Sequence, residues 1–139
     1  MNLSAIAAPD GIASHDGWTD DGEGVHRRRI TFAEWVGEDY FVEVVALQIA
    51  KYGSDPDEIG EAFVASPEVM VWTGEADHPS VVLDTAVATQ LLAQQVMQAA
   101  DTVMRFHYFG IEGGLLELLA DDLLKAANFM TDYAKWEQR

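Results

Sequence analysis

Histidine is the side chain best suited to proton transfer or metal ligation near neutral pH, and this chain has four, His15, His26, His78 and His107. None stands three or four residues from another histidine or a carboxylate on a shared helix, so the spacing that builds zinc and di-metal centres is missing. One constellation comes close. If the chain reverses near Glu112, His107 falls opposite Glu117 with Asp121 one turn further on, which gathers an imidazole and two carboxylates. The same residues also make ordinary surface ion pairs, and no metal is needed to account for them. The expectation is a chain with no catalytic residues, no bound metal and no cofactor.

Nucleophiles point the same way. Cysteine is absent, which removes thiolate chemistry and disulfides. Of the serines Ser4, Ser14, Ser54, Ser66 and Ser80, Ser54 and Ser66 sit among turn and helix-start signals, and none lies in a strained nucleophile elbow. Gly110-Ile111-Glu112-Gly113-Gly114 lacks the lysine and hydroxyl of a phosphate loop and reads as a helix reversal. Phe106, Tyr108 and Phe109, like Met97, Met104 and Met130, have the spacing of packing residues rather than of a base-stacking or cofactor box.

Carboxylates are the side chains present in excess. The 24 acids outnumber the 8 lysines and arginines for a net charge of −16. Residues 30–78 hold eleven acids against Lys51 alone. Ten of these, Glu34, Glu38, Asp39, Asp55, Asp57, Glu58, Glu61, Glu68, Glu75 and Asp77, form the candidate partner-binding set. Glu34 with Glu38, and Asp39 with Glu43, repel at helical spacing, a cost of a few tenths of a kcal/mol that hints at use. Such a field repels nucleic acid and anionic membrane and attracts basic protein surfaces. Solubility, or an acidic proteome, would account for the charge equally simply. Arg27, Arg28 and Arg29 follow Asp20, Asp21 and Glu23 and read as local charge balance.

The elements that must position these groups read as helices. Residues 1–29, rich in glycine and polar residues and with Trp18 as the one large anchor, read as a flexible arm, and 30–139 as a single helical domain. Thr31 and Glu34 match a capping box, with Ile30 and Trp35 as a hydrophobic staple, so a first helix is expected from Thr31 to Tyr52 with Gly53 as its exit. From Tyr40 to Ala50 only Glu43 and Gln48 are polar, which in a helix means burial on most sides. A strand rich in Val42, Val44 and Val45 is the rival. Asp55-Pro56-Asp57-Glu58 begins a second helix ending near Ala65; 67–74 is read as a short helix, with a strand as the alternative. A long helix follows from Val81 to Phe109, and a last one from Leu115 to about Trp136. The two should form an antiparallel hairpin in which Asp101 meets Lys125 and Arg105 meets Asp121 or Asp122.

The predicted fold is therefore all-α: a compact bundle of four to five helices with a C-terminal hairpin and a flexible N-terminal arm. Met1 to Ala8 carry no basic residue and make no secretory signal, and no segment is apolar enough to span a bilayer, so the expected setting is cytoplasmic. The functional expectation is a non-enzymatic acidic interaction module that occupies a basic, nucleic-acid-binding surface of a partner protein. Such inhibitors or mimics serve in counter-defence and anti-restriction. The alternative is a structural or assembly subunit, for example of a viral particle. Apolar surface left over from one chain is expected to be covered by a second copy as a two-fold dimer, with no direct contact to nucleic acid or membrane.

Overall fold

The computed structural model describes residues 3–53, 58–74, 77–106 and 111–137, and the side chains of all of these except 102–106, 111–113 and 135–137. The all-α expectation is overturned: among the described residues seven strands precede two helices. After a 3-10 turn at Leu3–Ala5 come β1 (Ser14–His15), β2 (Thr19–Asp20), β3 (Val25–Val36), β4 (Tyr40–Tyr52), β5 (Ile59–Val64), β6 (Glu68–Thr73) and β7 (Val81–Leu83), then α1 (Ala86–Phe106) and α2 (Ile111–Glu137). Short β1 and β2 pair with β3, β3 pairs with β4, β4 with both β5 and β6, and β6 with β7. The chain divides into two compact units, one of residues 1–33 and 45–67, the other of 34–44 and 68–139, so β3 and β4 each contribute to both.

The predicted first helix is in fact the hairpin of β3 and β4. A central strand covered on both faces presents a continuous apolar run, and such a run has no period to separate it from a buried helix. In β4 the even positions Tyr40, Val42, Val44, Ala46, Gln48 and Ala50 are all buried, and Glu43 and Val45 are buried on the opposite face. Phe41 to Ile49, expected from its apolar run to be the most buried segment, is buried without a break from Val42 to Ala46, but Leu47 is 40% exposed. The capping-box pair was a local coincidence: Thr31 lies in β3, opposite Ser14 of β1. Gly37, Glu38 and Asp39 turn the chain, with the Gly37 amide donating to the Tyr40 carbonyl at 3.0 Å.

Two further helices were also misplaced. The element expected up to Ala65 is β5 at Ile59–Val64, with 54–57 outside the described residues, and 67–74 forms β6. Strands win here because Val64, Val69, Val71, Phe63 and Trp72 are β-branched or aromatic; Val69 and Val71 are buried, Val64 and Trp72 half-buried and Phe63 exposed. β5 and β6 each pair with β4, and Ala65, Ser66 and buried Pro67 separate them in the chain.

In the unit of residues 1–33 and 45–67, the segment expected to be a flexible arm carries β1 and β2, and β3 begins within it at Val25. The close of β4 against β5 depends on two glycines: a Cβ on Gly60 would stand 2.6 Å from the Cα of Gly53. In the other unit the two long helices are real, with changed limits. Val81 to Leu83 is β7, and α1 starts only at Ala86, where Thr85 Oγ1 accepts from the Ala88 amide at 3.0 Å and so caps it. Ile111 to Gly114, expected as a reversal, already belong to α2. With four residues between them, helices packed along their length run antiparallel. Both helices bury small residues, Thr89, Ala93 and Ala100 on α1 and Ala120, Ala126 and Ala127 on α2, with the larger Leu123 fully buried beside them.

Candidate functional site

Seven of the ten candidate acids lie among the described residues: Glu34, Glu38, Asp39, Glu58, Glu61, Glu68 and Asp77; Asp55, Asp57 and Glu75 do not. All seven except half-buried Glu68 are exposed. The structure distributes them over strands and turns. In the helical unit, Glu34 lies near the end of β3, and Glu38 and Asp39 lie in the β3–β4 turn. Asp39 holds a left-handed backbone at φ 64, a conformation its short side chain tolerates better than most. Its carbonyl accepts from the Gly74 amide at 3.0 Å, which ties this turn to the one that carries Asp77. Asp77 lies 3.9 Å from exposed His78. In the other unit, Glu58 precedes β5 and Glu61 lies within it, 4.0 Å from Lys51.

Three polar constellations were not anticipated. The first is a buried node around Arg28, which is only 7% exposed. Its Nε donates to Gln48 Oε1 at 2.6 Å, its Nη2 to the Ile6 carbonyl at 3.1 Å, and its guanidinium lies 4.5 Å from the centre of the Trp18 ring. Gln48 Nε2 in turn donates to the Ala7 carbonyl at 3.0 Å. Two side chains of the sheet thus hold the N-terminal segment by its backbone, and Trp18 covers the cation. Burial lowers the guanidinium's proton affinity, yet arginine remains charged at any ordinary pH. Of its neighbours, Arg27 pairs with Asp21 at 3.4 Å, in keeping with the expected charge balance.

The second is Tyr40, whose hydroxyl donates to Asp122 Oδ2 at 2.5 Å. Burial first, then this bond and the charges of Asp122 and Asp121, push the phenol well above its ordinary range. Lys125 reaches Asp122 Oδ1 at 3.5 Å, one turn along the same helix, rather than Asp101 as the hairpin register had suggested. The side chain of Arg105 lies outside the described residues. The third is buried Glu43, which accepts from Trp72 Nε1 at 3.0 Å. A signal for these existed: Gln48 and Glu43 were the two polar interruptions of an apolar run, and with a period of two they face opposite sides of a strand.

The imidazole and carboxylate constellation cannot be assembled here, because His107 is outside the described residues; Glu117 is half-buried and Asp121 exposed. Among the described residues no group of three histidines or carboxylates could hold a metal ion. No described helix is long and apolar enough to cross a membrane. No protein-family model matches the chain, and no curated protein or solved structure matches it.

Proposed function

We propose that this chain is a non-enzymatic interaction module that sets an acidic surface against a basic, nucleic-acid-binding surface of a partner protein, as an inhibitor or mimic of the counter-defence or anti-restriction kind. One observation carries the proposal: Glu34, Glu38, Asp39, Glu58, Glu61 and Asp77 stand exposed on strands and turns, in a stretch whose only lysine or arginine is Lys51. Glu34 and Glu61 stand on paired strands, whose backbone loses little freedom on binding, so their charge acts at a low ordering cost. Nucleic acid and anionic membranes are repelled by a net charge of −16. The setting that fits is the cytoplasm, where basic nucleic-acid-binding partners are found.

The test uses the full chain and a partner captured from its native host. The complex should weaken by roughly tenfold or more between about 50 and about 200 mM salt, and the partner's nucleic acid should compete for it. A complex indifferent to both salt and nucleic acid would sink the proposal.

A second reading has its own support. On α1 the side chains of Val87 and Leu91, one turn apart, are 64% and 54% exposed, and on α2 Leu118 is also exposed. An assembly subunit would use such a stripe, and a homodimer is the simplest form of it. Light scattering on the purified chain separates the two: a dimer that resists salt and is lost in Leu91→Glu favours assembly, and a monomer near 15.3 kDa removes it.

A further inference from the structure

In the unit that contains it, β5 is an edge. It pairs with β4 and, among the described strands, with no other. The register sets Gln48 opposite Val64, Ile49 opposite Phe63, Ala50 opposite Ala62 and Lys51 opposite Glu61, and the Ala65 amide donates to the Leu47 carbonyl at 2.8 Å. Backbone bonding alternates along an antiparallel ladder. Counting back from Ala65, the main chain of Phe63 and Glu61 turns toward β4, and the N–H and C=O of Ala62 and Val64 turn outward.

Edges are ordinarily blunted by lysine, proline or a covering element. Ile59–Val64 contains neither residue, and Glu61 is its one charge. The side chains of Glu61 and Phe63, two residues apart, share one side of the strand, and both are exposed. Lys51 serves both, with Nζ 4.0 Å from Glu61 Oε2 and 5.4 Å from the centre of the Phe63 ring. Ile49 and Leu47 continue the apolar surface on the inner side, and exposed Glu58 adds a second carboxylate just before the strand.

We propose that the outer edge of β5 receives an extended segment of a basic partner protein, which joins the sheet as an added strand through the backbone of Ala62 and Val64. The segment places an apolar side chain beside Phe63 and, two residues along, a lysine or arginine beside Glu61. This rests on the reading above that the partner is basic, and names where it seats. Charge selects the occupant: a second copy paired β5 to β5 about the outward groups of Ala62 would set the two Glu61 carboxylates at diagonal positions on one face, with no basic residue of the strand to offset them. A basic strand meets Glu61 and Glu58 instead. Main-chain bonding provides affinity without sequence preference, and the alternate side chains provide the choice.

The probe is an eight-residue peptide that alternates threonine with valine and arginine, with a control in which glutamate replaces arginine. Fluorescence anisotropy should show the arginine peptide binding at least about tenfold more tightly than the control, with slowed hydrogen exchange at the Ala62 and Val64 amides. Ala62→Pro removes one outward N–H and spares the β4 ladder; it should cost at least about tenfold in peptide affinity with an unchanged circular dichroism spectrum. Should that variant unfold, Glu61→Lys answers the same question by reversing the preference between the two peptides. Equal binding of both peptides, unslowed exchange at Ala62 and Val64, or indifference to Glu61→Lys overturns the proposal. A salt-sensitive native complex that ignores Ala62→Pro and Glu61→Lys overturns it too, and leaves the acidic-module reading standing. Binding of the arginine peptide at the edge, alongside a native complex indifferent to salt, retains the edge and removes that reading. Loss of self-association in Ala62→Pro, with peptide affinity unchanged, would assign the edge to a second copy.

Discussion

Tyr40 is the residue whose chemistry the fold changes most. Its phenol gives up a proton less readily when folded than when unfolded, because it is buried, bonded to Asp122 and near Asp121. The folded state therefore keeps its full advantage at every pH below the ordinary phenol value of about 10 and loses it as the pH rises toward the folded one. Tyr40→Phe should cost on the order of 1 kcal/mol at neutral pH, by removal of the bond to a charged acceptor, and should move the alkaline unfolding midpoint upward. Unfolding followed by circular dichroism between about pH 9 and pH 12 checks it, and an unmoved midpoint would show that Tyr40 ionises freely. A pair of aspartates tests the strand phase of β4. Val44→Asp places a charge where the side chain is fully buried and should cost several kcal/mol, enough to unfold a domain stable by roughly 5–15. Leu47→Asp, at a 40% exposed position three residues along, should cost less than about 1 kcal/mol in a urea melt. Comparable losses at both positions would put the phase of the strand in error.

At the scale of elements, two attachments decide what stays in place. The N-terminal segment is held through Arg28 and Gln48, which donate to the Ile6 and Ala7 carbonyls, and through Trp18 over the guanidinium. Lysine cannot reproduce the planar fork that serves the ring, the amide and the carbonyl together. Arg28→Lys should accordingly release the segment to limited proteolysis before residue 19 and shift the Trp18 fluorescence to the red, whereas Arg27→Lys, at an exposed pair with Asp21, should do neither. Equal protease resistance in Arg28→Lys would show that the segment is held by something else. The start of α1 depends on Thr85, and Thr85→Ala should cost about 1 kcal/mol by leaving the Ala88 amide without its cap. Thr85→Ser should restore most of that loss in a thermal melt; if it does not, the hydroxyl is not what caps the helix.

For the whole molecule, charge is the dominant quantity. A net of −16 over 139 residues makes the folded chain repel itself, and the exposed carboxylates of its strands and turns stand where dissolved ions can screen them. Stability should therefore rise with sodium chloride between about 20 and about 300 mM, with a gain of several degrees in Tm and a plateau once the screening length falls below the spacing of the charges. A Tm that stays flat or falls over that range would mean that repulsion contributes little to stability. The apolar run around Val44 is covered as β4 within the chain and offers nothing to self-association; Val87 and Leu91 on α1 and Leu118 on α2 are among the exposed apolar side chains that do.

The composition, the charge and its concentration in residues 30–78, and the two C-terminal helices were all legible from the amino acids alone. Helix propensity acts within a few residues, so α1 and α2 needed little from the rest of the chain, although the cap of α1 at Thr85 was missed and the first turns of both helices shifted. The strands were not legible. The stretch from Thr31 to Tyr52 carries a capping box, a staple and an apolar run, all consistent with a helix, and the β-branched residues that argued otherwise are a weak local preference. What decided between them lies elsewhere in the sequence: β1 and β2 on one side of β3, and β5 and β6 along β4, each satisfying backbone groups that a lone strand leaves open. The same holds for the polar groups. Arg28 meets Gln48 across 20 residues and Tyr40 meets Asp122 across 82, separations that no local pattern encodes. The open edge of β5 is likewise a property of the sheet, since an edge exists only once the order of the strands is known.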